Sequence, residues 1–198
     1  MRQALKLHAD SRCSAVSRLE VDVARPRPGA LVLRYVVTGN LSELRMPPVT
    51  APVPSRRRSR RFGDAGARAD ELWQHTCFEA FVRASPGGAY YEFNFAPSTL
   101  WAAYRFEGHR SGMSVAREIG APSIGVQSTP KCYELHAALE LDRVPGLPND
   151  GAWRLGLAAV IEEMDGNRSY WALAHAPGKA DFHHADCFAL ELAAPSRA

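Results

Sequence analysis

The 198-residue chain has no apolar run long enough to cross a bilayer as a helix, and its opening, M-R-Q-A-L-K-L-H-A-D, lacks the apolar heart of a secretory leader. Cysteine is sparse. Cys13, Cys77, Cys132 and Cys187 stand singly, with no C-x-x-C pair to start a zinc site. Without a secretion signal they are expected to be unpaired, mostly buried thiols. Charge imbalance is also slight, at +3 formal, and much of the positive charge falls in one run, which argues against a general nucleic-acid interface. No segment carries a convincing helical stripe, apart from a short turn expected near residues 97–103. These absences point to a soluble cytoplasmic protein with neither nucleic acid nor membrane as partner.

What is present is alternation. Residues 19–25 and 30–41 read as β-runs separated by the turn-forming P-R-P-G, with Leu31, Leu33, Tyr35 and Val37 on one face of the second. Short strands are expected at 112–118 and 123–128. Residues 132–141 place Tyr133, Leu135, Ala137, Leu139 and Leu141 inward; residues 153–163 do the same with Trp153, Leu155, Leu157, Ala159 and Ile161. M-D-G-N has the chemistry of a hairpin turn leading into a strand at 169–175, where Trp171 and His175 share one face and Tyr170 and Ala172 the other. Residues 182–192 read as a closing strand. About ten short strands without alternating helices predict an all-β chain, a single antiparallel β-sandwich of jelly-roll or immunoglobulin-like type. One domain spans 1–198, its core at about 19–192. A Pro/Arg-rich loop at about 46–69 holds five arginines between positions 56 and 61 and is expected on the surface.

The central stretch, residues 70–106, carries the chemistry. Taken as extended from 72 to 82, it sets Leu72, Gln74, Thr76, Phe78, Ala80 and Val82 on one face and Trp73, His75, Cys77, Glu79, Phe81 and Arg83 on the other. The following strand sets Tyr91, Phe93 and Phe95 against Tyr90, Glu92 and Asn94. Each strand thus offers an apolar face and a face mixing rings with carboxylates, and the mixed face is the expected functional surface.

The motifs D-E-L-W-Q-H-T-C-F-E-A-F, Y-Y-E-F-N-F-A-P-S, W-R-L-G-L-A-A-V-I-E-E, S-Y-W-A-L-A-H and D-F-H-H-A-D-C-F, in that order, resemble the bacterial DOMON-like domains, which are similar to type 9 carbohydrate-binding modules. That resemblance implies a β-sandwich with a site for sugar or, in other DOMON branches, haem. It implies a sugar held between two tryptophans with a carboxylate bonding its hydroxyls, and matches Trp73 and Glu79 to the first tryptophan and the carboxylate, with Trp171 as candidate for the second. The expected function is a non-catalytic module binding a small carbohydrate, with Trp73, His75, Glu79, Glu92, Asn94, Trp171 and His175 at the site. An indole covers the apolar side of a pyranose while carboxylate and amide groups bond its hydroxyls.

Other chemistries compete for the same residues. Glu79 and Glu92 on neighbouring strands are within reach of a glycosidase pair, but nothing in the sequence marks a tuned proton donor. The tail holds His175, Lys179, Asp181, His183, His184, Asp186 and Cys187, a composition suited to a metal, yet adjacent histidines on a strand point opposite ways. Haem would need axial groups such as His75 and His175. No cofactor is expected, with haem or a metal ion as the alternative, and a protein-interaction domain is the competing function. Titration of the denatured protein without reductant should find four thiols; a titre of two or fewer would contradict unpaired cysteines.

Overall fold

The computed structural model describes residues 1–48 and 66–195. The arginine run at 56–61 lies outside the described residues. In chain order the strands are β1 (Arg2–Ala4), β2 (Lys6–Leu7), β3 (Val16–Ala24), β4 (Ala30–Gly39), β5 (Cys77–Ala84), β6 (Tyr90–Phe95) and β7 (Trp101–Phe106). They continue with β8 (Ser114–Val115), β9 (Ser123–Thr129), β10 (Cys132–Glu140), β11 (Trp153–Glu162), β12 (Arg168–Ala172) and β13 (Leu190–Leu192). One antiparallel sheet runs β1-β3-β4-β10-β9. The other runs β2-β12-β11-β5-β6-β7-β8, with β13 pairing the start of β11. The chain is an antiparallel β-sandwich, as its alternation predicts. Among the described residues no helix is long and apolar enough to cross a membrane.

Alternation decides which face is buried. Leu31, Leu33, Tyr35 and Val37 of β4 and Leu135, Ala137 and Leu139 of β10 meet Phe78, Ala80, Phe93, Phe95, Leu157, Ala159 and Ile161 from the facing sheet. At roughly 1.5–3 kcal/mol for each large apolar side chain removed from water, this inner layer supplies most of the stabilisation. Tyr35 crosses it: its hydroxyl donates to the Glu79 backbone carbonyl at 2.7 Å, tying the smaller sheet to the centre of the larger one.

The second sheet is buried on its outer face too. Phe81, Tyr90, Ala102, Tyr104, Phe106, Ala158, Val160 and Ala172 form a separate apolar cluster, covered by Phe182 and Phe188. Central strands buried on both faces explain why β5 and β6 show almost no exposed side chain.

Several local expectations are corrected. Residues 72–76 are not strand: Glu71 adopts a left-handed conformation (φ 61°), and a 3-10 turn over Leu72–Gln74 delays β5 to Cys77. The expected turn at 97–103 is confined to its start. Ala96 and Leu100 pair across a tight turn with Thr99 at φ 69°, and Trp101–Phe106 form β7. Of the closing strand only Leu190–Leu192 is extended, because the stretch before it is drawn across the outer face of the sheet as a loop with one 3-10 turn at Ala185–Cys187. The strand expected at 112–118 shrinks to Ser114–Val115. β1 and β2 were not legible in advance, being short edge segments.

Glu163 fixes the end of the β11–β12 hairpin. Its Oε1 accepts from Ser14 N (3.0 Å), Ser14 Oγ (2.9 Å) and Ala15 N (3.0 Å), and its Oε2 accepts from Asn167 Nδ2 (2.7 Å). Burial alone would raise this carboxyl, but the hydrogen bonds outweigh it and hold the pKa below the ordinary 4.5. A depressed pKa contributes stability that is present above the unfolded value and lost as pH falls through the folded one. Glu163→Gln should therefore cost about 1–3 kcal/mol near neutral pH. Denaturant melts should show that cost shrinking in acid; a cost independent of pH would contradict the assignment.

Candidate functional site

A cleft of about 360 Å³ opens on the outer face of the larger sheet. Its floor comes from four strands in a row: Glu92 on β6, Glu79 on β5, Val160 on β11 and Tyr170 on β12. Strand parity alone aims these side chains outward, opposite Phe78, Phe93, Ala159 and Trp171. Glu79 pairs with Ala158 on one side and Asn94 on the other, while Glu92 sits on the diagonal, opposite Phe81. Trp73 comes in from the 3-10 turn and packs edge-on against Tyr104 at 5.7 Å; Arg110 and Met113 come from the β7–β8 connection, and Ala180, Phe182 and His183 from the long loop before β13.

An ion pair and two further polar contacts hold the loops in place. Asp181 accepts from Arg110 (Nε 3.0 Å, Nη2 2.8 Å) and contacts His109 Nε2 at 2.7 Å, joining the two wall segments. Tyr104 donates to Asp70 at 2.7 Å, fixing the approach to Trp73.

The floor is acidic and dry. Glu79 is 3% exposed and Glu92 5%. Burial, then the charge of Glu92, pushes the Glu79 carboxyl well above its ordinary 4.5. Burial brings Glu92 up to about 7, opposed by the hydrogen bond from Asn94 Nδ2 (2.8 Å) and by Arg110. Oε1 of Glu79 is fully buried and has no hydrogen-bond partner among the described residues. An acceptor in that state costs on the order of 1–3 kcal/mol or more, so it marks a place where an incoming donor is rewarded.

His183 lies among the rings of Phe81, Phe106 and Tyr90 at 5.0–5.8 Å between centroids, and burial followed by the Arg110 charge brings its pKa down to about 4. It is neutral at pH 7. Tyr90, its own pKa raised by burial, stays a phenol that accepts the Arg110 backbone N–H (3.3 Å) and is hydrogen-bonded to His183 Nδ1 at 2.8 Å. The other ring nitrogen, Nε2, faces Glu92 Oε2 at 3.8 Å.

Of the residues expected at the site, Trp73, Glu79 and Glu92 converge on the cleft. Asn94 is fully buried behind them and orients Glu92. His75 lies away from the cleft lining, half exposed, with Nδ1 2.7 Å from Glu162 Oε2. Trp171 is buried in the inter-sheet core, its indole N–H on Ser169 Oγ at 3.1 Å. The hairpin register pairs it with Ala159, so it points inward, and Tyr170 is the ring that β12 gives to the cleft. His175 also lies elsewhere, with Nε2 on the Lys6 carbonyl at 2.8 Å and its ring edge-on to His8. The tail's remaining candidates are spread over separate contacts, and no three His, Cys, Asp or Glu groups gather for a metal among the described residues.

Sequence reasoning missed Arg110, Arg168, Tyr170, Phe182 and His183. Tyr170 had a readable signal, since continuing the inward set of β11 through the M-D-G-N turn sends Trp171 inward and Tyr170 outward. The loop residues had none, because a loop has no fixed side-chain period.

No family model and no curated protein matches the chain. Solved structures do. The sandwich superposes on a protein from Bacteroides uniformis assigned as carbohydrate-binding, with TM-score 0.59 and 13% identity over 90% of this chain and 80% of that one. It also superposes on a family 9 carbohydrate binding module from Caldicellulosiruptor kristjanssonii in complex with cellotriose, with TM-score 0.50 and 10% identity over 90% and 74% of the two chains. At such identities what is shared is the architecture.

The floor makes a pH signature. Raised carboxyl pKa values stabilise the fold below the unfolded value and are lost as pH rises, between 4.5 and about 7 for Glu92. His183 acts in the opposite sense, its contribution present above 6.5 and lost toward about 4. Glu92→Gln removes only the first effect. Its stability relative to wild type should rise with pH from 4.5 to past 7, reaching the order of a few kcal/mol. Denaturant melts across that range that give a flat difference would contradict a proton held on the floor.

Proposed function

We propose that the protein is a non-catalytic module that binds a small carbohydrate in the cleft. The observation that carries this is the buried Oε1 of Glu79, without a hydrogen-bond partner among the described residues, beside Glu92 in a cleft that Trp73 and Tyr170 also line. A pyranose offers what such a site lacks: hydroxyl donors at the ring edge for the carboxyls, and an apolar C–H side for a ring. The neutral His183 ring adds a polar partner for a hydroxyl, and Arg110 and Arg168 add donors at the mouth. The shared fold with a cellotriose-binding module supports the choice of ligand class.

Binding without turnover fits the geometry. Glycoside hydrolysis uses two carboxyls flanking the scissile bond. Glu79 and Glu92 instead rise side by side from one sheet face, so both reach a ligand from beneath. The quoted sequence motifs support a kinship with the DOMON-like domains of bacteria, and a cytoplasmic protein without nucleic-acid or membrane partner or resident cofactor is part of the proposal.

Calorimetric titration with mono- and disaccharides should detect binding in the micromolar to millimolar range. Trp73→Ala should weaken it about tenfold or more while costing little stability, since the indole is partly exposed on a turn. Trp171→Ala should cost about 3–5 kcal/mol of folding stability, because that indole is core. Undiminished sugar binding by the Trp73 variant would remove the stacking role.

A further inference from the structure

Depth sorts the charges of the cleft. The carboxyls of Glu79 and Glu92 lie at the bottom, almost fully buried, whereas Arg110 and Arg168 are exposed at the rim. The rim cations are also engaged elsewhere. Arg110 is ion-paired with Asp181, and Arg168 Nη1 donates to the Gln74 carbonyl at 3.2 Å. His183 is neutral and sits 3.8 Å from Glu92, while Asn94 gives Glu92 a neutral donor. Among the described residues, Glu79 receives no hydrogen bond on its carboxyl and touches no cation. A pair of desolvated acids opposed only from a distance by Arg110, itself ion-paired with Asp181, is an expensive arrangement for a fold to retain, and a ligand cation relieves it better than a hydroxyl does. The aromatic walls point the same way, since the ring faces of Trp73, Tyr170 and Phe182 attract positive charge.

We infer that the ligand is a sugar bearing a free amine, its ammonium seated on Glu79 and Glu92. This rests on the carbohydrate reading and narrows it. The ammonium takes the place of the proton that the carboxyl pair would otherwise retain, and that proton passes to solvent, so binding releases protons. A sugar acid fares worst, because its carboxylate would face the same floor. The acetylated amine loses the charge and with it the advantage.

The test is calorimetry on the intact protein with glucosamine, glucose, N-acetylglucosamine and glucuronate, at a pH below the amine's own pKa, in buffers of different ionisation enthalpy. Glucosamine should bind about tenfold or more tighter than glucose, with glucuronate weakest, the acetylated sugar no better than glucose, and proton release visible as a buffer-dependent enthalpy. In Glu79→Gln the ratio of glucosamine to glucose affinity should fall close to one. Should that variant fail to fold, the wild-type series decides alone. Equal affinity for glucose and glucosamine would overturn the ammonium site and leave the carbohydrate reading standing, whereas no binding of any of the sugars would overturn both.

Discussion

The pairing of β5 with β6 at the centre of the larger sheet is the constraint on which the rest depends. With Phe78 opposite Phe95 and Ala80 opposite Phe93, the inward residues join the inter-sheet core. The same register leaves Glu79 opposite Asn94 and Glu92 opposite Phe81 on the other side. A slip of β6 by one residue would drive Glu92 and Asn94 into the core and Phe93 and Phe95 out of it. The register that stabilises the sandwich is therefore the register that builds the acidic floor. Tyr35 reinforces the coupling by anchoring the Glu79 backbone from the opposite sheet, so the floor is fixed by the whole sandwich.

That coupling shows why part of the site was legible in the sequence. Period-two alternation predicts which way a strand residue points whatever its neighbours, and the outward placement of Cys77, Glu79, Phe81, Tyr90, Glu92 and Asn94 follows from it. The same rule, applied across the β11–β12 turn, contains the inward placement of Trp171; resemblance to a two-tryptophan clamp had favoured Trp171 over its neighbour Tyr170. Trp73 reached the cleft by another route than expected. The left-handed residue at Glu71 and the 3-10 turn after it break the alternation, so its shared parity with Glu79 is not what brings them together. His75, on the far side of that turn, shows the consequence by turning to Glu162 instead.

What stayed hidden comes from loops and from long-range pairing. His183 and Phe182 sit in what reads as an alternating strand, and only the competition for the outer face of the sheet decides that the segment crosses it as a covering loop. That face offers Phe81, Tyr90, Phe106 and Val160, too much apolar surface to leave in water, and Phe182 and Phe188 cap it. Burial of the loop against these rings makes His183 neutral, and the Tyr90 hydroxyl holds its Nδ1 at 2.8 Å. None of these dependencies has a local signature.

The division of labour between sheet and loops bears on how such a fold changes its ligand. The floor cannot move without disturbing the core beneath it, and substitutions there couple to stability through the same residues. The walls are tethered by a few polar contacts, chiefly Asp181 to Arg110 and His109, at the surface where exposed ion pairs contribute little to folding. Loop residues can accordingly be exchanged at small cost while the sandwich persists, which is how architectures sharing 10–13% of their residues can superpose over most of their length. In this chain the fixed element is the pleat, and the charges it leaves at its outer face are those on which the proposed choice of ligand rests.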